Sequence, residues 1–134
     1  MKFHEEYYIR APRHPGTSPP YPSIASNQTK VEDGYILEVI ATSPNLYKPS
    51  EFDWWVINES GYRIAENNFP TKSGLTGSTI NNNITISWFD NDRNGVLSCN
   101  DEIKIQYNKM SLIDYEFVII YRRYNFMADS IRLK

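Results

Sequence analysis

Cysteine is almost absent from this chain. Cys99 is the only one in 134 residues, so no internal disulfide can form. Alanine is scarce too, at positions 11, 25, 41, 65 and 128 only, which removes the strongest helix former. Long apolar runs are missing. The longest, residues 117–121, is far short of the roughly 20 residues that span a bilayer as a helix. Charge of one sign is missing as well: 14 Lys and Arg face 16 Asp and Glu, a net charge of −2, so no field invites nucleic acid. The first ten residues hold Glu5 and Glu6 and no apolar stretch, unlike a secretory signal peptide. These absences exclude a membrane-spanning helix, a disulfide scaffold and a self-evident nucleic-acid binder.

What the chain has is aromatic and β-branched residues. Ten Tyr, three Trp and six Phe make up 14% of it, and isoleucine is abundant. Such side chains suit a pleated, half-buried surface, and the composition predicts an all-β protein. The length suits one domain, which should bury about two-thirds of the surface its unfolded chain exposes.

Five of the eight prolines fall before residue 23. Proline gives no ladder donor and favours polyproline II, so residues 1–30 read as an N-terminal arm or linker, and residues 31–134 as the folded domain. Within the arm, residues 3–10 are dense in aromatics. Residues 11–26 read as a linker or a surface-hugging arm, while residues 3–10 suit a short strand or helical turn, fray as a terminus does, or pair with a neighbouring molecule's sheet edge. Period-two alternation then predicts strands at residues 35–42, 52–58, 62–66, 83–89, 103–107, 116–124 and 130–133. Gly61 ends the turn between the second and third. Residues 67–82 read as a polar loop with room for a short edge strand. About seven strands, no helix and a turn every ten residues or so match the rhythm of an Ig-like β-sandwich.

One segment carries chemistry. Residues 90–101 place oxygen side chains at positions 1, 3, 5, 9 and 12 of a twelve-residue loop: Asp90, Asp92, Asn94, Ser98 and Asp101. Gly95 falls at position 6, where the chain turns sharply, and Val96 offers a carbonyl from position 7. Leu97 at position 8 is apolar and would anchor the loop to the core. Calcium takes six to eight oxygen ligands in relaxed geometry, and this is the spacing that wraps one ion. Magnesium prefers fewer protein ligands and more waters. Glu102 follows directly and is a further candidate ligand. An Asn-Gly hairpin turn would explain Asn94 and Gly95, but not the other oxygen ligands at their spacings.

The loop resembles the EF-hand and, through its final aspartate, the dockerin calcium loop. Its flanks read as strands rather than helices. A strand ending in an aromatic, this loop, a strand, a long Tyr-rich strand and a terminal strand together resemble the soluble heads of archaeal type IV pilin-like proteins over residues 35–133. The resemblance implies an extracellular, non-catalytic surface or filament protein. In that family the loop ends in Gly-Asp, where this chain has Asn100 and Asp101. The family's hydrophobic N-terminal helix and processing site are not in this sequence.

Trp54 and Trp55 are neighbours on a strand, so their side chains face opposite ways. One belongs to the core. The other, with Tyr62 across the hairpin, would make a stacking platform for a glycan or a partner, or pack half-covered under the loop at 67–82. Cys99 at loop position 10 should point outward as a free thiol. His4 and His14 both lie in the arm, so no Cys–His pair assembles. Glu51 and Asp53 share a strand face as charges that deter edge pairing. Sequons at Asn27, Asn58 and Asn83 permit glycosylation on export. The sequence thus predicts a calcium-stabilised structural module outside the cell, self-associating through sheet edges or the arm. The alternative is a calcium-stabilised carbohydrate-binding or adhesion module.

Overall fold

A computed structural model of the chain describes residues 22–43 and 47–134. Among the described residues nine strands form two antiparallel sheets. They are β1 (Ile24–Val31), β2 (Gly34–Thr42), β3 (Phe52–Ile57), β4 (Arg63–Asn68), β5 (Thr79–Asn81), β6 (Ile84–Phe89), β7 (Glu102–Tyr107), β8 (Glu116–Tyr121) and β9 (Phe126–Arg132). One sheet runs β1-β2-β7-β6-β5 and the other β4-β3-β8-β9. That is an Ig-like β-sandwich: the first sheet holds the A-B-E-D order, with β5 added at its edge, and the second holds C′-C-F-G. Among the described residues the helical turns are three short 3-10 segments, Pro49–Glu51, Leu75–Gly77 and Arg122–Tyr124.

Period two decides which side chains enter the core. Tyr35, Leu37 and Val39 on β2, Ile84, Ile86 and Trp88 on β6, and Ile103 and Ile105 on β7 are all buried inward. The second sheet answers with Phe52, Trp54 and Val56 on β3 and Phe117, Ile119 and Tyr121 on β8. Trp54 stacks on Phe117 with ring centroids 6.5 Å apart. Its indole N–H donates to Thr79 Oγ1 at 2.8 Å, so its one polar atom is satisfied inside the sandwich.

Side chains close both lateral seams between the sheets. On one side Asn67 Nδ2 donates to the Ile80 carbonyl and Asn82 Nδ2 to the Ile64 carbonyl, while Asn81 Oδ1 accepts from Glu66 N–H. On the other side Ser26 Oγ donates to Asp129 Oδ2, Gln28 Nε2 donates to the Arg132 carbonyl, and Gln28 Oε1 accepts from Lys134 N–H. A partner strand adding at these seams would have to displace those bonds.

The structure departs from the sequence reading in number and boundaries. The described residues hold nine strands rather than about seven. The fold begins at Ile24, not Val31, because β1 pairs with β2 along its full length. β1 is an edge strand whose polar Ser26 and Gln28 serve the seam, so it lacks the apolar alternation that marks the other strands. Residues 1–21 of the expected arm lie outside the described residues. The long strand expected over 116–124 stops at Tyr121. Arg122–Tyr124 then turns, Asn125 takes a left-handed φ of 51°, and β9 starts at Phe126. The β3–β4 hairpin turns as expected: Gly61 has φ 88°, and Asn58 Oδ1 accepts from Ser60 N–H and Tyr62 N–H.

Candidate metal centre

The loop at 90–101 joins β6 to β7. Its first half is shaped by its own oxygen atoms. Asp90 Oδ1 accepts from Asn94 N–H at 3.3 Å and Oδ2 from Gly95 N–H at 2.7 Å. Asn94 Oδ1 accepts from Val96 N–H at 3.1 Å. Positive φ at Arg93 (58°) and Gly95 (78°) curls the backbone around this group.

The second half is stitched to the core. Leu97 is buried, and its N–H donates to the Tyr47 carbonyl at 3.1 Å. This is the apolar anchor its position predicts. Asn100 N–H donates to the Val39 carbonyl, and Val39 N–H donates to the Asp101 carbonyl. The end of the loop therefore continues the β2–β7 ladder. Cys99 is exposed, with its thiol 3.5 Å from the Ile40 carbonyl.

Three carboxylates meet in the middle. One oxygen from each of Asp90, Asp92 and Asp101 lies within 4.8 Å of the other two. Oxygens sharing one calcium ion at 2.3–2.6 Å stand at most about 5 Å apart, so the group fits a single ion with the strands where they are. Ser98 Oγ joins them, 2.9 Å from Asp92 Oδ2. Asn94 Nδ2 lies 3.1 Å from both Asp92 Oδ2 and Ser98 Oγ. The Val96 carbonyl is 3.5 Å from Ser98 Oγ. Asp90, Asp92 and Asp101 thus form the cluster, with Ser98 beside it, while Asn94 turns its Nδ2 toward Asp92 and Ser98 and its Oδ1 accepts from Val96 N–H. Glu102 is different. It begins β7 one residue beyond Asp101, so it alternates to the opposite face from Asp101 and Ile103, and the carboxylate cluster does not include it.

Asp101 is the unusual member. It is fully buried. Oδ2 accepts from Trp88 Nε1 at 3.0 Å and from Ser98 N–H at 3.1 Å. Oδ1 is buried with no hydrogen-bond partner. A buried carboxylate oxygen left unpaired is costly. Burial is the main cause that pushes the Asp101 carboxyl up to about 6, and the nearby Asp92 and Asp90 charges push the same way. Asp92 moves down instead, chiefly because the Ser98 hydroxyl donates to it. A divalent cation would supply what Oδ1 lacks and offset the repulsion among the three acids.

The stacking platform expected of Trp54 or Trp55 with Tyr62 is not assembled. Trp54 is core. Trp55 is only 7% exposed and lies beneath the Arg63 guanidinium, 3.5 Å from its ring centre. Tyr62 alone stands out in solvent. The cleft beside Trp55 is lined by polar groups that already bind one another: Asp53 holds Arg122 and Asn68, and Glu66 holds Arg63. No helix among the described residues is long and apolar enough to cross a membrane. Sequence reasoning found the loop but missed the role of Trp88 as donor to Asp101; its place one residue before Phe89 at the loop's entrance was the available signal. No protein-family model matches this chain, and a search of curated proteins finds no match to it either.

Proposed function

We propose that this chain is a non-catalytic, calcium-clamped β-sandwich that serves as a structural or surface module outside the cell. The observation that carries the reading is buried Asp101, whose Oδ1 has no hydrogen-bond partner and whose carboxylate lies with those of Asp90 and Asp92, one oxygen of each within 4.8 Å of the others. The expected donors are all oxygen, the preference of a hard cation, and as many as six protein ligands from one loop suit calcium better than magnesium. An ion there ties the β6–β7 connection to β2 and to the Tyr47 segment through bonds already in place, so its role is to stiffen one end of the sandwich. Extracellular placement follows from the resemblance to pilin-like heads and from the advantage of a metal clip in a chain without disulfides.

Thermal melting in millimolar calcium and in EDTA tests the clamp. Binding to the folded state alone at about 100 times Kd adds roughly 2.7 kcal/mol, or roughly 10 °C for a domain of this size. Asp90→Ala with Asp92→Ala should abolish the shift. Equal melting temperatures for the parent chain in both buffers would defeat the reading.

A further inference from the structure

Asn94 and Gly95 share a peptide bond in the exposed half of the 90–101 loop. Of the six glycines, Gly95 alone follows an asparagine. That pairing is chemically labile. No side chain beside the glycine nitrogen blocks its approach, so it can attack the preceding side-chain amide carbon and close a five-membered imide. In a folded chain the reaction needs room for the ring and a path for the protons.

The molecule contrasts two such places. Asp33 and Gly34 form the other acid-glycine or amide-glycine pair of the sequence. A Cβ at Gly34 would stand 1.7 Å from the Ile105 carbonyl oxygen, and Gly34 pairs with Gln106 in the ladder. Its backbone has no space to turn onto the Asp33 carboxyl. A Cβ at Gly95 would meet nothing within 4 Å, so the ring has room there.

The protons have a path as well. Gly95 N–H, which must be lost, donates to Asp90 Oδ2 at 2.7 Å. Asn94 Oδ1, where negative charge grows during the attack, accepts from Val96 N–H at 3.1 Å. Nδ2, the leaving nitrogen, lies 3.1 Å from Ser98 Oγ. An acceptor on the nucleophile, a donor on the oxyanion and a hydroxyl at the leaving group are the parts of an assisted acyl transfer.

We propose that the folded loop converts Asn94 to aspartate and isoaspartate, with water as the one co-reactant. The Gly95 nitrogen bonds to Asn94 Cγ while its proton passes through Asp90 Oδ2 to water. The Cγ–Nδ2 bond breaks, Nδ2 takes a proton from Ser98 Oγ, and ammonia leaves; water restores the hydroxyl. Water then opens the imide. Opening at Cγ leaves aspartate, which adds a carboxylate beside Asp92 and Ser98. Opening at the main-chain carbon leaves isoaspartate, which adds a methylene to the path of the chain.

The full chain is incubated with EDTA near neutral pH in heavy-oxygen water, folded or in urea. Peptides carrying residues 33 and 94 are followed by mass spectrometry, with isoaspartate identified by electron-transfer fragmentation. The folded chain should take up heavy oxygen at residue 94 at least as fast as the chain in urea. Residue 33 should take it up in urea only. A folded chain that leaves Asn94 unlabelled, labels it more slowly than the unfolded chain, or labels both residues alike overturns the proposal. Asp90→Ala should slow the folded reaction by roughly tenfold or more and leave the rate in urea unchanged; an unchanged or faster folded rate overturns it. No cation takes part, so failure here leaves the clamp to be decided by the melting comparison.

Discussion

Trp88 Nε1 donates to Asp101 Oδ2 at 3.0 Å, so a core indole holds the last acid of the 90–101 loop. Trp88→Phe keeps most of the apolar bulk and removes the donor. Asp101 then loses one of its two partners while still buried. Stability should fall by about 1–3 kcal/mol, and the calcium-induced rise in melting temperature should shrink. Denaturant unfolding with and without calcium measures both. A variant with the parent's stability and calcium response would show that this bond does not position the acid.

Asp129 supplies a pH test away from the loop. Its carboxyl is pushed up to about 6, mainly by burial, with the Ser26 hydroxyl pulling it partly back. The unfolded value is near 3.8. A raised carboxyl value means the folded state holds its proton more tightly. Its contribution is therefore fully present below about pH 4 and is lost as pH rises through about 6. Asp129→Asn should remove that loss. The variant should gain on the parent by on the order of 2 kcal/mol between pH 4 and pH 7, read as a widening gap in melting temperature. A constant gap across that range would refute the assignment.

Gly34 is fixed by a close approach rather than by its φ. A Cβ there would stand 1.7 Å from the Ile105 carbonyl oxygen, which is backbone and cannot swing aside. Gly34→Ala should separate β2 from β7 locally and cost about 3 kcal/mol or more. Gly95→Ala meets no atom within 4 Å, though its φ of 78° is strained for alanine, and should cost about 1 kcal/mol. Urea unfolding of both variants checks the order, and a smaller loss at Gly34 would contradict it.

Arg63 lies over Trp55 with its guanidinium carbon 3.5 Å from the ring centre and pairs with Glu66 at 2.6 Å. Arg63→Ala should cost about 1 kcal/mol, mostly through the lost cation–π contact, since an exposed i,i+3 ion pair contributes little. Glu66→Gln should therefore be nearly neutral. Equal losses for the two variants would shift the weight to the ion pair.

Much of this was legible in the sequence for one physical reason: a strand with one face in the core must alternate. That pattern places β2, β3, β6, β7 and β8 along the chain, but it leaves open which of Trp54 and Trp55 faces the core. β1 does not show in it, because an edge strand buries little and its polar side chains serve the seam; β5 shows only as a short edge strand with no set position within residues 67–82. The end of β8 was overrun because Arg122, Arg123 and Tyr124 continue a plausible strand composition while the backbone turns there. In the loop, spacing along the chain was enough to name Asp90, Asp92, Asn94, Val96, Ser98 and Asp101. Spacing could not show that Asp101 is buried with one oxygen orphaned, which depends on Trp88 and the packing of both sheets. Glu102 shows the limit of proximity in sequence: one residue along a strand reverses the face.

The seam between β1 and β9 has a mechanical consequence. Its bonds run in step, Ser26 to Asp129, then Gln28 to Arg132 and to Lys134, so the two strands travel in the same direction. One leads in from the N-terminal side and the other leads out toward the C-terminus, and they belong to different sheets. Tension applied through the two ends of the sandwich would load these bonds together, in shear, instead of peeling them open one by one.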